Sequence, residues 1–389
     1  MTSPVKVLMI TEGSGGHLIP ALEVAGQLSR QGARVKVWYA SRPQTAPLVP
    51  SLVQKSAGST VEVEPMPSSN VKGSLGRVVQ CARLWSGARR CFQTFRPDVI
   101  VGFGGWVSVP VMLAARLGRR PTMLHEQNVV MGRANRLLSR VVDQVAVSFQ
   151  PTSGNLPTLR TVITGMPVRP EIGRSVRATM AQRFGLDACR PTVLVLGGSQ
   201  GSRAINRLLG EAAGLLSSRE RRSWQWLHVS GSSGATRAAE AYAAHGVRAA
   251  VVPFIPDMET AYALADLVIG RAGASTVAEL ARCGKPAVLI PYPHAGGHQR
   301  ANARMVEQMG GGVVLEESSA SAARLLREIR RLLADDGARA TMGERMRLLC
   351  TPDAATRLAR AILDLPHAIS ARLSEAVLAQ SQPRSERSL

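Results

Sequence analysis

Short apolar runs alternate with helical periodicity almost from one end of the chain to the other, and this alternation constrains the fold most. In the first half the strand candidates are Val5–Thr11, Arg34–Ala40, Val61–Val63, Asp98–Phe103, Thr122–Leu124, Gln144–Ser148 and Thr161–Thr164. The pattern breaks between Gly165 and Pro170 in Gly-Met-Pro-Val-Arg-Pro, a candidate hinge. A second series follows at Thr192–Leu196, Gln225–Val229, Ala249–Pro253, Leu267–Ile269, Ala287–Pro291 and Gly312–Leu315. Helical stretches separate most of these runs, which predicts parallel sheets joined by right-handed crossovers. The expected fold class is α/β, with two Rossmann-like doubly wound domains of similar size facing a cleft. Ligands are then expected at the carboxyl ends of the strands.

The 389 residues are too many for one ordinary core, and 45% hydrophobic residues suffice to fill two. No basic region precedes a signal-length apolar run and no apolar run reaches about 18 residues, so neither a leader nor a membrane-crossing helix is expected. Cys81, Cys91, Cys189, Cys283 and Cys350 are scattered without a CxxC, which predicts a reduced protein without disulfides or structural zinc. Forty-eight Lys and Arg against 27 Asp and Glu give a net charge of +21. Such a surplus favours polyanions: nucleic acid, anionic lipid or a phosphorylated substrate. Aromatic residues make up only 4% and do not interleave with the basic ones, so no base-stacking platform and no nucleic-acid partner is expected. A GC-rich genome, which enriches Arg and Ala, also accounts for part of the surplus.

Several strand ends carry chemistry. "ITEGSGGHLIPALEVAGQL" runs from strand through a glycine loop into a helix, and Gly13, Gly15 and Gly16 let backbone N–H groups approach an anion. It is not a dinucleotide fingerprint, because Leu18 takes the third glycine's place and the second strand ends in Ala40-Ser41 without a ribose-binding acid. Nor is it a Walker A loop, which needs Gly-Lys-Ser/Thr. His17, at the helix start, reads as a general base, a diphosphate contact or an ordinary polar residue. "VGFGGWVSVPVMLAARLG" places Gly102, Gly104 and Gly105 after a strand, and "MLHEQNVVMGRANRLLSR" ends a strand in His125, Glu126, Gln127 and Asn128, with Asn135 on the next helix. Caps and turns explain any one of these. Two glycine loops and a polar strand end on one side of one domain point to a ligand.

The second half repeats the scheme. "VLVLGGSQGSRAINRLL" presents Ser199 in a glycine turn that either faces a phosphate or merely turns the chain. "VIGRAGASTVAEL" has two readings: a capping box from Thr276 to Glu279, or a nucleotide seat with an anion at the helix N-terminus and ribose hydroxyls on the carboxylate. "IPYPHAGGHQRANARMVEQMG" gathers His294, His298, Gln299 and Asn302. The two histidines have i,i+4 spacing, but Gly296-Gly297 interrupt a helix there and no zinc site is expected. Finally, no Asp or Glu stands between Pro65 and Pro97, where Lys72, Arg77, Arg83, Arg89, Arg90 and Arg96 accompany Leu75, Val78, Val79, Ala82 and Trp85 at helical spacing. This is either a helix buried on its own sheet or a basic, apolar face for an anionic leaflet.

Taken in order, GxGGHxxPA, GFGGWxSxP, HEQNxxxGxxN, GMPVR, GGSQGS, RAGASTVAE and PHxxxHQxxNA resemble the MurG family over about residues 5–317. These are peripheral membrane glycosyltransferases that add N-acetylglucosamine to the lipid-linked muramoyl-pentapeptide of peptidoglycan synthesis. The resemblance implies the GT-B architecture. Residues 1–165 then form an acceptor and membrane-side domain, 166–350 a UDP-sugar domain, 351–380 helices returning to the first domain, and 381–389 a frayed tail. It places Ser14, Gly15, Gly16, Asn128, Arg169, Ser199, Ile255, Ala274, Ser275, Thr276, Glu279, His298 and Gln299 at donor positions. Glu279 falls on the ribose, Ser275 and Thr276 near diphosphate, the Ile255 backbone by the uracil edge, and His298 and Gln299 by the sugar. Gly13, Gly104, Gly105 and Asn135 fall at acceptor positions, with His17 as the catalytic base.

The implied reaction is inverting and needs no cofactor or metal, in keeping with the lack of a DxD after any strand. UDP-N-acetylglucosamine, the lipid-linked muramoyl-pentapeptide and an anionic membrane surface are the implied partners, with other cell-wall and division proteins beside them. The implied place is the cytoplasmic face of the inner membrane. Alternatives are a UDP-N-acetylglucosamine 2-epimerase, a transferase for another lipid acceptor such as diacylglycerol, and a non-catalytic scaffold. The chain departs from the family pattern in Glu12 for Gly, Ser14 for Thr, Trp106 for Tyr, Val109 for a common Gly, and Gly296-Gly297 where a carboxylate is frequent.

Overall fold

The computed structural model describes residues 3–41, 49–56, 60–67, 73–154, 156, 160–198, 200–294 and 296–381. The chain divides into two units, residues 1–126, 132–167 and 353–389 in one and residues 127–131 and 168–352 in the other.

The first unit is built on seven strands: β1 Lys6–Glu12, β2 Arg34–Ala40, β3 Val61–Pro65, β4 Val99–Gly102, β5 Thr122–Glu126, β6 Gln144–Val147 and β7 Thr161–Ile163. All pair in parallel, in the order β3-β2-β1-β4-β5-β6-β7. Strands covered on both faces read as unbroken apolar runs, as Val7-Leu-Met-Ile10 does with every residue buried. Strand order reverses between β1 and β4, the position where doubly wound sheets leave a crevice at their carboxyl ends. Ile10 pairs with Gly102 and Gly102 with Leu124, so the turns after β1, β4 and β5 emerge side by side. One face of the sheet carries Leu18, Leu22 and Leu28 of the Gly15–Arg30 helix, joined by Leu358, Ile362 and Leu365 of the Ala354–Ser381 helix. The tail expected from residue 381 lies, beyond Ser381, outside the described residues.

The Gly73–Thr94 helix packs with Leu84, Ala88, Cys91 and Phe92, a face different from the apolar one read in the sequence. Leu75, Val78 and Ala82 are exposed while Val79 and Trp85 are half-buried. Lys72 lies outside the described residues.

The second unit carries β8 Thr192–Leu196, β9 Gln225–Val229, β10 Ala249–Val252, β11 Leu267–Gly270, β12 Ala287–Leu289 and β13 Gly312–Val314. These are again parallel, ordered β10-β9-β8-β11-β12-β13, with the reversal between β8 and β11. Residues 127–131, which a boundary at 165/166 assigns to the first domain, cluster with this unit. Asn302 explains the difference: its Oδ1 accepts from Val129 N at 3.0 Å and its Nδ2 donates to Asn128 Oδ1 at 3.1 Å. Among the described residues, no helix is long and apolar enough to cross a membrane.

Candidate active site

In the first unit, Ser14 ends the turn after β1 in an extended conformation, and its carbonyl accepts from His17 N and Leu18 N at 3.0 and 2.9 Å. Gly15 and Gly16 therefore open a helix whose first-turn amides point toward any anion in the turn, with Gly13 buried behind them. Ser14 Oγ and His17 Nδ1 are 2.8 Å apart. When Nδ1 carries the proton it donates to this hydroxyl and leaves Nε2 as the basic nitrogen.

The turn after β4 comes alongside. Gly104 and Gly105 have φ of +95° and +86°, a region that disfavours side chains. A Cβ on Gly104 would stand 3.5 Å from both His17 Nε2 and Asn135 Nδ2, so the structure brings His17, Gly104 and Asn135 together. Asn135 is buried, and its Nδ2 donates to Glu126 Oε2 at 2.9 Å. Among the described residues its buried Oδ1 has no hydrogen-bond partner. His125, beneath this cluster, is fully buried. Burial pushes its pKa down to about 4, against the Gly165 carbonyl 3.3 Å from Nε2, so the ring is neutral near pH 7.

In the second unit, the Ala274–Cys283 helix begins directly after the turn that follows β11, placing Ala274, Ser275 and Thr276 in its first turn. Gly273, extended at φ −63° and ψ 146°, takes the N-cap position and no side chain caps the helix. The capping box from Thr276 to Glu279 therefore does not form, because both residues already lie inside the helix. Instead, Glu279 Oε2 accepts a 2.8 Å hydrogen bond from the Tyr262 hydroxyl. Burial raises the Glu279 pKa, while the Arg169 guanidinium and the Tyr262 hydroxyl pull it down and Glu259 raises it. Arg169 is buried, donates to Pro256 O at 2.8 Å beside buried Ile255, and lies 3.9 Å from Glu259. Arg169, Ile255 and Glu279 thus share one neighbourhood.

A second group surrounds Asn302, which is fully buried and donates to Ala272 O at 3.0 Å as well as to Asn128. His298 and Gln299 open the His298–Gln308 helix. His298 Nδ1 donates to Val130 O at 2.9 Å, and Gln299 Oε1 accepts from Tyr292 N at 3.0 Å. Ser199 lies outside the described residues. Among the described residues, no group of three or more His, Cys, Asp or Glu is arranged to hold a metal ion.

Two family models match the chain: the glycosyltransferase family 28 N-terminal domain over residues 7–147 and the C-terminal domain over residues 192–358. The UDP-N-acetylglucosamine–N-acetylmuramyl-(pentapeptide) pyrophosphoryl-undecaprenol N-acetylglucosamine transferase of Nitrosococcus oceani is 40% identical over 368 residues, 93% of this chain and 99% of that one. The crystal structure of Acinetobacter baumannii MurG superposes with a TM-score of 0.72 at 30% identity, covering 93% of this chain and all of that one. The chain belongs to the MurG family. A UDP-N-acetylglucosamine 2-epimerase from Neisseria meningitidis, solved with UDP-N-acetylglucosamine, reaches a TM-score of 0.70 at only 12% identity, a likeness of fold alone.

The departures from the MurG pattern have definite places. The Glu12 side chain lies directly against Gly105, where any Cβ would collide with it. Trp106 is 61% exposed. Gly296 and Gly297 have φ of +60° and +80°, a region that branched and bulky side chains rarely adopt. Sequence reasoning missed Tyr262, the partner of Glu279, and Glu317, the ion-pair partner of Arg271, because a tyrosine in an apolar helix and a lone surface-type glutamate carry no local signal. Asn302 lies inside a recognised motif, but only its burial and its bonds show that it joins Asn128, Val129 and Ala272.

Proposed function

We propose that the chain transfers N-acetylglucosamine from UDP-N-acetylglucosamine to the C4 hydroxyl of lipid-linked, undecaprenyl-diphospho N-acetylmuramoyl-pentapeptide. The observation that carries this reading is the 40% identity, across 93% of the chain, to a transferase whose name states donor and acceptor. The acceptor hydroxyl attacks the anomeric carbon, the bond from that carbon to the diphosphate oxygen breaks, and UDP leaves with the bonding pair. His17 Nε2 takes the hydroxyl proton. Amides and hydroxyls at the start of the Ala274–Cys283 helix stabilise the departing diphosphate, and the positive end of the helix adds to them. Glu279 accepts from the ribose hydroxyls, and the backbone at Ile255 reads the uracil edge. Gly13, Gly104, Gly105 and Asn135 hold the acceptor.

The chain works on this reading at the cytoplasmic face of the inner membrane without spanning it. Leu75 and Val78, 67% and 66% exposed, stand on a helix with exposed Arg77, Arg83, Arg89 and Arg90, and this combination suits an anionic leaflet. The test is label from UDP-N-acetylglucosamine offered with the muramoyl-pentapeptide lipid, with diacylglycerol, or with no acceptor. Transfer to the muramoyl lipid alone is expected. Transfer to diacylglycerol, or UDP-N-acetylmannosamine formed without acceptor, would replace the reading by one of its alternatives.

A further inference from the structure

Tyr262 belongs to the Met258–Leu264 helix and is 1% exposed, so its hydroxyl is buried with the ring. A buried hydroxyl without a partner costs about 1–3 kcal/mol, and among the described residues this one has a single acceptor, Glu279 Oε2 at 2.8 Å. Burial and the neighbouring carboxylate hold the Tyr262 pKa well above its ordinary value, so the hydroxyl remains a donor. Glu279 is half-buried and keeps an open side, and among the described residues Oε1 makes no hydrogen bond within the protein. A glutamate on a helix has several rotamers available. The tyrosine selects the one that commits Oε2 inward and leaves Oε1 for a ligand.

We propose that Tyr262 is a positioning residue for donor recognition: its hydroxyl holds the Glu279 carboxylate in the orientation that accepts the ribose hydroxyls of a uridine diphosphate sugar. This rests on the ribose reading of Glu279. The charged and titratable groups around the pair are Arg169 from the segment after β7, Glu259 on the same helix as Tyr262, and Cys283 at the end of the Glu279 helix. Burial raises the Glu279 pKa, and Arg169 and Tyr262 lower it. A carboxylate must be ionised to accept both hydroxyls, so donor binding weakens as pH falls through the Glu279 pKa. Removing the tyrosine hydroxyl removes one lowering contribution and moves that loss to higher pH.

The experiment measures UDP-N-acetylglucosamine binding by calorimetry from pH 5 to 8 for the parent, Tyr262→Phe, Glu279→Gln and the double variant. Tyr262→Phe is expected to bind about tenfold more weakly at pH 7, the scale of one hydrogen bond to a charged group. Its low-pH limb should lie above the parent's, and its defect should vanish with the 2′,3′-dideoxyribose analogue of the donor. In the Glu279→Gln background the tyrosine substitution should shift no limb. If Glu279→Gln binds donor like the parent, the ribose reading itself falls. If Glu279→Gln weakens binding but Tyr262→Phe matches the parent at every pH, the positioning role falls while the ribose reading stands. An equal loss on the dideoxy analogue would make Tyr262 a structural residue only and overturn the proposal.

Discussion

Arg271 and Glu317 approach to 2.5 Å, and this ion pair decides what the charge at the start of the Arg271–Gly273 turn can do. The same guanidinium donates to Ser202 Oγ at 2.7 Å and to Ile290 O at 3.0 Å, and it lies 5.4 Å from the Tyr292 ring centroid. Its charge is therefore answered inside the fold. On the proposed reading, the diphosphate in this turn then falls to the helix amides and to Ser275 and Thr276. Ser202 in turn caps the Arg203–Gly214 helix by accepting from Ile205 N, so Arg271 ties the turn after β11 to the glycine turn after β8.

Replacing Arg271 with Met should accordingly lower stability before it touches the diphosphate. The expected loss is about 2–3 kcal/mol, below the cost of breaking a fully buried pair because the Glu317 side chain stays 26% exposed. Adding Glu317→Gln should recover part of it. Urea unfolding of the three proteins measures this, and an Arg271→Met protein as stable as its parent would remove the ion pair from the account.

Glu279→Ala should weaken UDP-N-acetylglucosamine binding by about 1.5–3 kcal/mol, the range for a hydrogen bond to a charged group. Its stability cost has a different origin from the helix cap that the sequence suggested. The loss, about 1–3 kcal/mol, comes from stranding the buried Tyr262 hydroxyl. Glu279→Gln keeps an acceptor there and should unfold with the parent. Unchanged donor affinity in folded Glu279→Ala would reject the donor assignment.

The strands were legible and the side-chain partnerships were not. The thirteen strands among the described residues fall within about two residues of the apolar runs. Central strands such as β1 and β8, covered on both faces, leave continuous apolar segments, whereas the edge strand β3 alternates Val with exposed Glu. The order of the glycine turns was readable for a related reason: turns after parallel strands need glycine and polar residues at fixed places. Thr276 and Glu279 misled because their spacing fits a capping box, while the cap itself depends on where the helix starts, and Gly273 sets that. Arg271–Glu317, Tyr262–Glu279 and Asn302–Asn128 join residues far apart along the chain, and no local pattern marks such pairs. The Gly73–Thr94 helix shows the limit of periodicity, since both of its faces carry apolar residues and only packing selects the buried one.

His17→Ala should reduce kcat by about 10²–10⁴-fold, the contribution of a positioned general base, with donor affinity nearly unchanged. Kinetics with varied acceptor separate the two roles open to this residue. Near-normal kcat with a raised acceptor KM would make His17 a diphosphate contact.

The basic face of the Gly73–Thr94 helix should carry the protein to anionic membranes. Sedimentation with anionic liposomes, none with neutral ones, and release by high salt are expected, since each basic residue near such a surface contributes about 1 kcal/mol and salt screens it. Replacing Arg77, Arg83, Arg89 and Arg90 with Gln should lower liposome binding and leave donor binding intact. Equal binding to both vesicle types would remove this surface from the account.

The most direct test of the transfer itself is the structure of its product. The protein is incubated with UDP-N-acetylglucosamine and the muramoyl-pentapeptide lipid, the lipid is extracted, and the new linkage is read by NMR. Attack of the C4 hydroxyl on the anomeric carbon with departure of UDP predicts a β-linked N-acetylglucosamine on C4 of the muramoyl sugar, with UDP released in equal amount. An α linkage, attachment at another hydroxyl, or UDP release without a disaccharide on the lipid would contradict it.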